Sequence, residues 1–154
     1  MAQGTSPFLI CRLRGFPVAA TPEEQVRQEV IGQLLAWGYP WHTLACEVGH
    51  PALRVLSHHE VGRADLLFNL RKGADGPLAD AVIEVKAHTP RTTDEAQVRR
   101  YAQAFGARLY AVTDSRTWTV AQHTGDGWIP RPRFPAFAEW SARSNTSHQV
   151  VRSH

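Results

Sequence analysis

The sequence predicts an α/β fold: a mixed central β-sheet flanked by helices, with its elements in the order α-β-β-β-α-β-β. Three observations predict it. Two stretches carry apolar residues at helical spacing behind good capping residues. Five short apolar segments, bounded by Gly, Pro, Asn and Asp, read as strands. The two kinds of element alternate, which puts helices against a sheet. The 154 residues, 43% hydrophobic and 20% charged, have the composition and length of one domain with a single core.

The first twenty residues read as an N-terminal extension whose segment 8–13 adds an edge strand before Pro17 ends it. The first helix covers 22–37. Thr21 is its N-cap, Pro22 suits the first helical position, and Glu24 stands where a capping box wants it. Val26, Val30, Ile31, Leu34 and Leu35 form its apolar stripe, Gly38 closes it, and Pro40 prevents continuation. Strands follow at 44–48, 64–70 and 81–87, the last two forming a hairpin across the turn residues Gly73 and Asp75-Gly76-Pro77. The second helix starts at an N-cap, Thr92, with Glu95 as its reciprocal residue, and carries Val98, Tyr101, Ala102 and Phe105 on one face. Strands at 109–113 and 117–122 complete the sheet, and Asp126-Gly127 turns the chain. The expected division is an extension (1–20), a main domain (21–128), and a Pro/aromatic segment with a polar, flexible tail (129–154).

Composition excludes several classes. No run approaches the ~18 apolar residues of a membrane span. The N-terminus has no basic n-region, so no signal peptide is expected. Two cysteines, Cys11 and Cys46, are too few for a disulfide framework or a four-cysteine zinc site. A cytoplasmic, reduced protein with no membrane partner is the expectation. Seventeen basic against fourteen acidic residues give +3 and a pI near 9.2. That mild excess permits a nucleic-acid partner without demanding one.

The informative anomaly lies in the hairpin. Gly62-Arg63-Ala64-Asp65-Leu66-Leu67-Phe68 opens an apolar strand with an acid, and Asp80-Ala81-Val82-Ile83-Glu84-Val85-Lys86-Ala87 places an acid and a lysine inside another. Alternation puts Val82, Glu84 and Lys86 on one face. Unpaired charges there are costly to desolvate, so an ion pair, a wet cleft or a metal must compensate them. The hairpin sets Asp65 beside Glu84. Two converging carboxylates suit Mg²⁺, which takes one or two protein carboxylates plus waters. A lysine beside it can position the attacking water, and the two together stabilise charge on a reacting phosphate.

Asp65…Glu84-Val85-Lys86 resembles the PD-(D/E)XK nuclease signature. Pro22-Glu23-Glu24-x-Val26-Arg27-Gln28, Gly38-Tyr39-Pro40, Arg63-Ala64-Asp65 and Val82-Ile83-Glu84-Val85-Lys86-Ala87 together resemble the N-terminal nuclease domain of type I restriction enzyme R subunits. Gln97 and Tyr101 resemble the Q-x-x-x-Y element of the RecB-like branch, and Asp114-Ser115-Arg116-Thr117-Trp118 looks like the family's turn between its fourth and fifth strands. The likeness spans roughly 21–122. Ala64 departs from the pattern by standing where proline would precede the aspartate.

The resemblance implies a restriction-endonuclease-like fold and Mg²⁺-dependent hydrolysis of DNA phosphodiester bonds, with Mn²⁺ able to substitute. Asp65, Glu84 and Lys86 are the implied catalytic residues. Asp65, Glu84 and the Val85 carbonyl would hold the metal. Gln97 and Tyr101 would support the site or the DNA. Glu24 would assist metal binding unless it is only a cap. Arg27, which falls within the apolar stripe of the first helix, either snorkels or reaches toward the site. Arg63, Arg71, Lys72, Arg99 and Arg100 are the candidate DNA contacts. DNA is the implied partner, with a homodimer or a larger restriction or repair complex as the assembly, and cutting is expected to depend on that assembly. The alternative class is a catalytically silent nucleic-acid-binding or regulatory module on the same fold. His58-His59-Glu60 lacks the paired spacing of a zinc site and reads as a surface loop lining the DNA groove.

Overall fold

The computed structural model describes residues 7–56 and 62–140. Three layers build it: a helix, a six-stranded mixed sheet, and a second helix. The chain runs through β1 (Phe8–Ile10), β2 (Pro17–Ala19), α1 (Pro22–Ala36), β3 (Leu44–Gly49), β4 (Arg63–Phe68), β5 (Arg71–Gly73), β6 (Gly76–Leu78), β7 (Ala81–Val85), α2 (Thr92–Ala104), β8 (Leu109–Thr113), β9 (Trp118–Thr124) and β10 (Gly127–Arg131). The main sheet has the order β10-β9-β8-β7-β4-β3. All its neighbours are antiparallel except β7 and β8, which α2 joins as a parallel crossover.

Both helices form for the expected local reasons, with one shift. The Thr21 hydroxyl accepts from the Glu24 amide (3.2 Å) and caps α1. The helix ends in a Schellman turn: Gly38 N–H donates to Leu35, and Tyr39 N–H to Leu34. That turn needs the left-handed backbone Gly38 adopts (φ +93°). α2 is capped by Arg91 rather than Thr92, because Asp94 accepts from the Arg91 amide at 2.9 Å. Glu95, freed from that role, accepts from the Tyr110 hydroxyl at 2.7 Å.

Alternation along the strands divides the core between the two sheet faces. Val30, Ile31 and Leu34 of α1 pack with Leu66, Phe68, Ile83 and Val85. Val98 and Ala102 of α2 pack with Leu67, Val82, Tyr110 and Val112. β4 and β7 are antiparallel neighbours, as the hairpin predicts, and the chain between them forms the small β5–β6 ribbon.

Three expectations are corrected. The segment near Phe8 does not extend the main sheet; β1 and β2 pair with each other as a separate ribbon. The sheet gains a sixth strand, β10, from a stretch read as turn and Pro-rich segment. Pro130 is tolerated there because β10 is an edge. The strand expected over 81–87 ends at Val85, although the Lys86 amide still donates to Thr113 at 2.9 Å. After β10, Phe134 is buried and Phe137 and Trp140 pack against Tyr39 and Phe68. The tail beyond residue 140 lies outside the described residues.

Candidate active site

The site lies where the β4–β7 ladder opens. Regular pairing runs from Phe68↔Ala81 to Leu66↔Ile83, and Asp65 and Glu84 occupy the next position. There the side chains take over the backbone's bonds. The Asp65 carboxylate accepts from the Val85 amide (2.9 Å), and the Glu84 carboxylate accepts from the Asp65 amide (3.3 Å). The two acids expected to converge therefore lace together the diverging strand ends.

β3 contributes a third acid at the same level. Its pairing with β4 skips Glu47, opposite Asp65, and Glu47 adopts φ +55°. A non-glycine residue in that region marks local strain. The departure brings the Glu47 carboxylate to Arg27 (3.1 Å) and Arg14 (3.0 Å). Arg27 is buried and holds three carboxylates: Glu24 (2.7 Å), Glu47, and Asp65 (3.1 Å). Its head is thus buried against Asp65 rather than snorkelling to solvent. Its Nε is buried with no partner among the described residues. Arg14, on the turn of the N-terminal ribbon, bonds Glu24 (3.1 Å) as well as Glu47. Glu24 also accepts from Gln28. It is thus both N3 of the helix and part of this network, and no bond returns from its carboxylate to the Thr21 backbone. A cleft of about 350 Å³ opens beside Arg14, Glu24, Arg27 and Glu47.

The charges are unevenly compensated. Burial pushes the Glu47 carboxyl up, but Arg27 and then Arg14 outweigh it and hold it below the usual range. Glu84 is the opposite case. Burial first, then the neighbouring Asp65, raise it well above an ordinary carboxylate, and Lys86 offsets only part of this. Tyr101 stands close by. Burial raises its phenol, Gln97 lowers it, and the fields of Glu84 and Asp65 raise it further. Gln97 donates to the Tyr101 hydroxyl (3.2 Å). Gly62 passes so near that a Cβ there would lie 3.0 Å from the Tyr101 oxygen.

The remaining candidates scatter. Arg63 is exposed at the site end of β4, and Arg100 is exposed on α2. Arg71, with Lys72 beside it, stands at the opposite end of the sheet and pairs with Asp80 (2.9 Å). Arg99 donates to the Tyr110 hydroxyl (3.0 Å). His58, His59 and Glu60 lie outside the described residues. Sequence reasoning missed Arg14 and Glu47. The signal that exposed Asp65 and Glu84, an acid inside an apolar strand, was present for Glu47 in Leu44-Ala45-Cys46-Glu47-Val48.

Two carboxylates, Asp65 and Glu84, meet at one strand-end position, a number that Mg²⁺ commonly takes from a protein. Among the described residues no three His, Cys, Asp or Glu side chains group as a metal cluster. The raised Glu84 carboxyl reflects its burial first and the charge of Asp65 second.

A mixed α/β domain with buried acids laced across an opened strand pair is the class that this fold and site define. The chain belongs to the family described as type I restriction enzyme R protein N terminus, whose model matches residues 22–127. It is a restriction-enzyme-related domain. No curated protein matches it. Among the described residues no helix is long and apolar enough to cross a membrane.

Proposed function

We propose that the chain is a metal-dependent DNA nuclease with a restriction-endonuclease-like fold, hydrolysing phosphodiester bonds with Mg²⁺, or Mn²⁺ in its place. The single observation that carries this reading is the reciprocal lacing of Asp65 and Glu84 at the open end of β4 and β7. It sets two carboxylates and the Val85 peptide at one point beside Lys86. Asp65, Glu84 and the Val85 carbonyl are the residues to hold the cation, which supplies Lewis-acid stabilisation of charge on the phosphate.

In the reaction, water adds across the P–O bond and the leaving oxygen departs with the electron pair. Lys86 stands one residue beyond the end of β7 with its amide tied to Thr113, and in this reading its ammonium orients that water. Its ammonium opposes charge that grows only as the phosphate reacts. The Gln97–Tyr101 bond sets the phenol beside Asp65 and Glu84, where it can position the scissile group. Glu24 and Arg27 act as positioning residues: Arg27 fixes one Asp65 oxygen while the Val85 amide fixes the other. DNA is the expected partner, held by phosphate contacts from exposed arginines such as Arg63 and Arg100. A homodimer or larger restriction or repair complex is the expected setting, and a cytoplasmic location accompanies it.

The test is supercoiled plasmid with wild type, Lys86→Ala and Asp65→Ala, each in Mg²⁺, Mn²⁺ or chelator. Lys86→Ala should abolish cleavage with DNA affinity nearly intact, because its interaction belongs to the transition state. Asp65→Ala should abolish cleavage together with Mn²⁺ binding by calorimetry. The Arg27–Asp65 ion pair favours a second reading, a catalytically silent nucleic-acid-binding or regulatory module. That reading is the outcome if no Mn²⁺ binding depends on Asp65 and DNA affinity follows only basic residues and salt.

A further inference from the structure

A second feature stands at the same end of the sheet, two strands from the acids. The register runs Val85↔Thr113 and Thr113↔Trp118, so β9 begins level with the end of β7. At ~4.8 Å per strand the lateral offset is roughly 10 Å. β10 ends beside this point, with Arg131 opposite Val120, and the following chain closes over it. The result is a cavity of about 350 Å³ lined by Trp37, Arg116, Trp118, Arg133 and Phe134.

Its lining is both aromatic and cationic. Trp118 lies 5.2 Å from Trp37 and 5.5 Å from Phe134, ring centre to ring centre, in tilted pairs. Trp37 and Trp118 are only partly buried. Arg116 is exposed, and its guanidinium has no partner among the described residues. Arg133 is held by Glu139 at 2.6 Å.

The base that carries Arg116 is rigid. Asp114 accepts from the amides of Arg116 and Thr117. Ser115 is held at φ +78°, its hydroxyl donates to Glu29 (2.7 Å), and its carbonyl accepts from Gln33 (2.7 Å). Two bonds thus clamp the turn to α1. A rigid turn that carries an exposed arginine at a cavity lined by two indoles matches a phosphate joined to a flat base, since every base offers a π-face and each nucleotide a negative charge.

We propose that this cavity binds one unpaired nucleotide of a nucleic-acid strand, its base against the indoles and its phosphate on Arg116. The inference rests on the reading that the neighbouring site acts on DNA, and it adds that the strand is single or opened where it reaches the start of β9. A paired base has both faces stacked and cannot enter, so the cavity discriminates strandedness.

The test uses the full chain in chelator, with intrinsic tryptophan emission as the readout and a short oligothymidylate, a duplex of equal length, thymidine monophosphate and inorganic phosphate as probes. The single strand should quench emission, thymidine monophosphate should do so more weakly, and inorganic phosphate should leave emission unchanged. Trp118→Leu should weaken single-strand affinity about tenfold or more, in the range of one lost stacked base. Arg116→Ala touches no core contact and should weaken it severalfold, lowering the salt slope by about one, with partial rescue by Arg116→Lys. Wild-type affinity in Arg116→Ala, or equal losses for single strand and duplex, overturns the proposal. Plasmid cleavage without quenching removes the cavity's role and leaves the nuclease reading standing. Quenching without cleavage does the reverse.

Discussion

At the residue scale, this protein spends its unusual chemistry on a few buried side chains whose charges are solved by neighbours. Arg27 is the clearest. Removing it leaves Glu24, Glu47 and Asp65 facing one another without their shared cation. Arg27→Met should therefore cost roughly 3–5 kcal/mol, the range for breaking a buried ion pair, measured by urea denaturation. Glu84 should respond with the opposite sign. Its folded-state carboxyl is raised, so ionised Glu84 opposes folding once the pH exceeds the ordinary value of 4.5. Glu84→Gln is expected to raise the melting temperature in chelator at neutral pH, and that gain should disappear in acid below about 4.5. A melting temperature unchanged at neutral pH would contradict the uneven charge balance. Cys11 supplies a third sign. Burial pushes its thiol up, but the Arg14 side chain and then the Arg14 amide bring it down from 9.0 to about 7. A depressed acid contributes stability that is complete above pH 9.0 and fades as pH falls through about 7. Ultraviolet titration should show one thiolate forming near neutrality, absent in Cys11→Ser and moved upward in Arg14→Ala. Cys46, pushed up to about 11 chiefly by burial, should stay protonated throughout that range.

Among the elements, legibility followed how local the signal was. α1 announced itself by Thr21, Pro22, its apolar stripe and Gly38, and its observed end differs from the expected one by a single residue. α2 moved its cap by one position because Asp94 and Glu95 both suit N3 chemistry, and the Tyr110 hydroxyl on β8 settled which was free. Thr21→Ala should cost α1 about 1 kcal/mol of stability, the usual worth of such a cap, seen as a lower urea midpoint at unchanged slope. Strand β10 was illegible, since Pro130 argues against a strand unless the segment is known to be an edge, and edges are properties of the assembled sheet. The acids at Asp65 and Glu84 were legible because charge inside an apolar run is visible in one dimension. Glu47 was visible too. What could not be read was its left-handed backbone, nor Arg14 reaching across from another ribbon. Those are long-range facts, set by which strands become neighbours.

Over the whole molecule, two helical layers meet the sheet on separate cores, and the acids sit where the strand ends open between them. The N-terminal ribbon belongs to this arrangement although it shares no ladder with the main sheet. It buries Cys11 completely, places Arg14 on Glu24 and Glu47, and donates from the Arg12 amide to the Gln28 side chain of α1. Deleting residues 1–20 should lower the melting temperature by several degrees, as expected for a loss of about 1–2 kcal/mol in a domain this size. Amide exchange should quicken most in the first two turns of α1. The family match begins at Pro22, inside the reach of Arg14. The matched span and the unit that folds together therefore have different borders here. Without that ribbon Glu24 and Glu47 would keep Arg27 as a shared cation and lose Arg14.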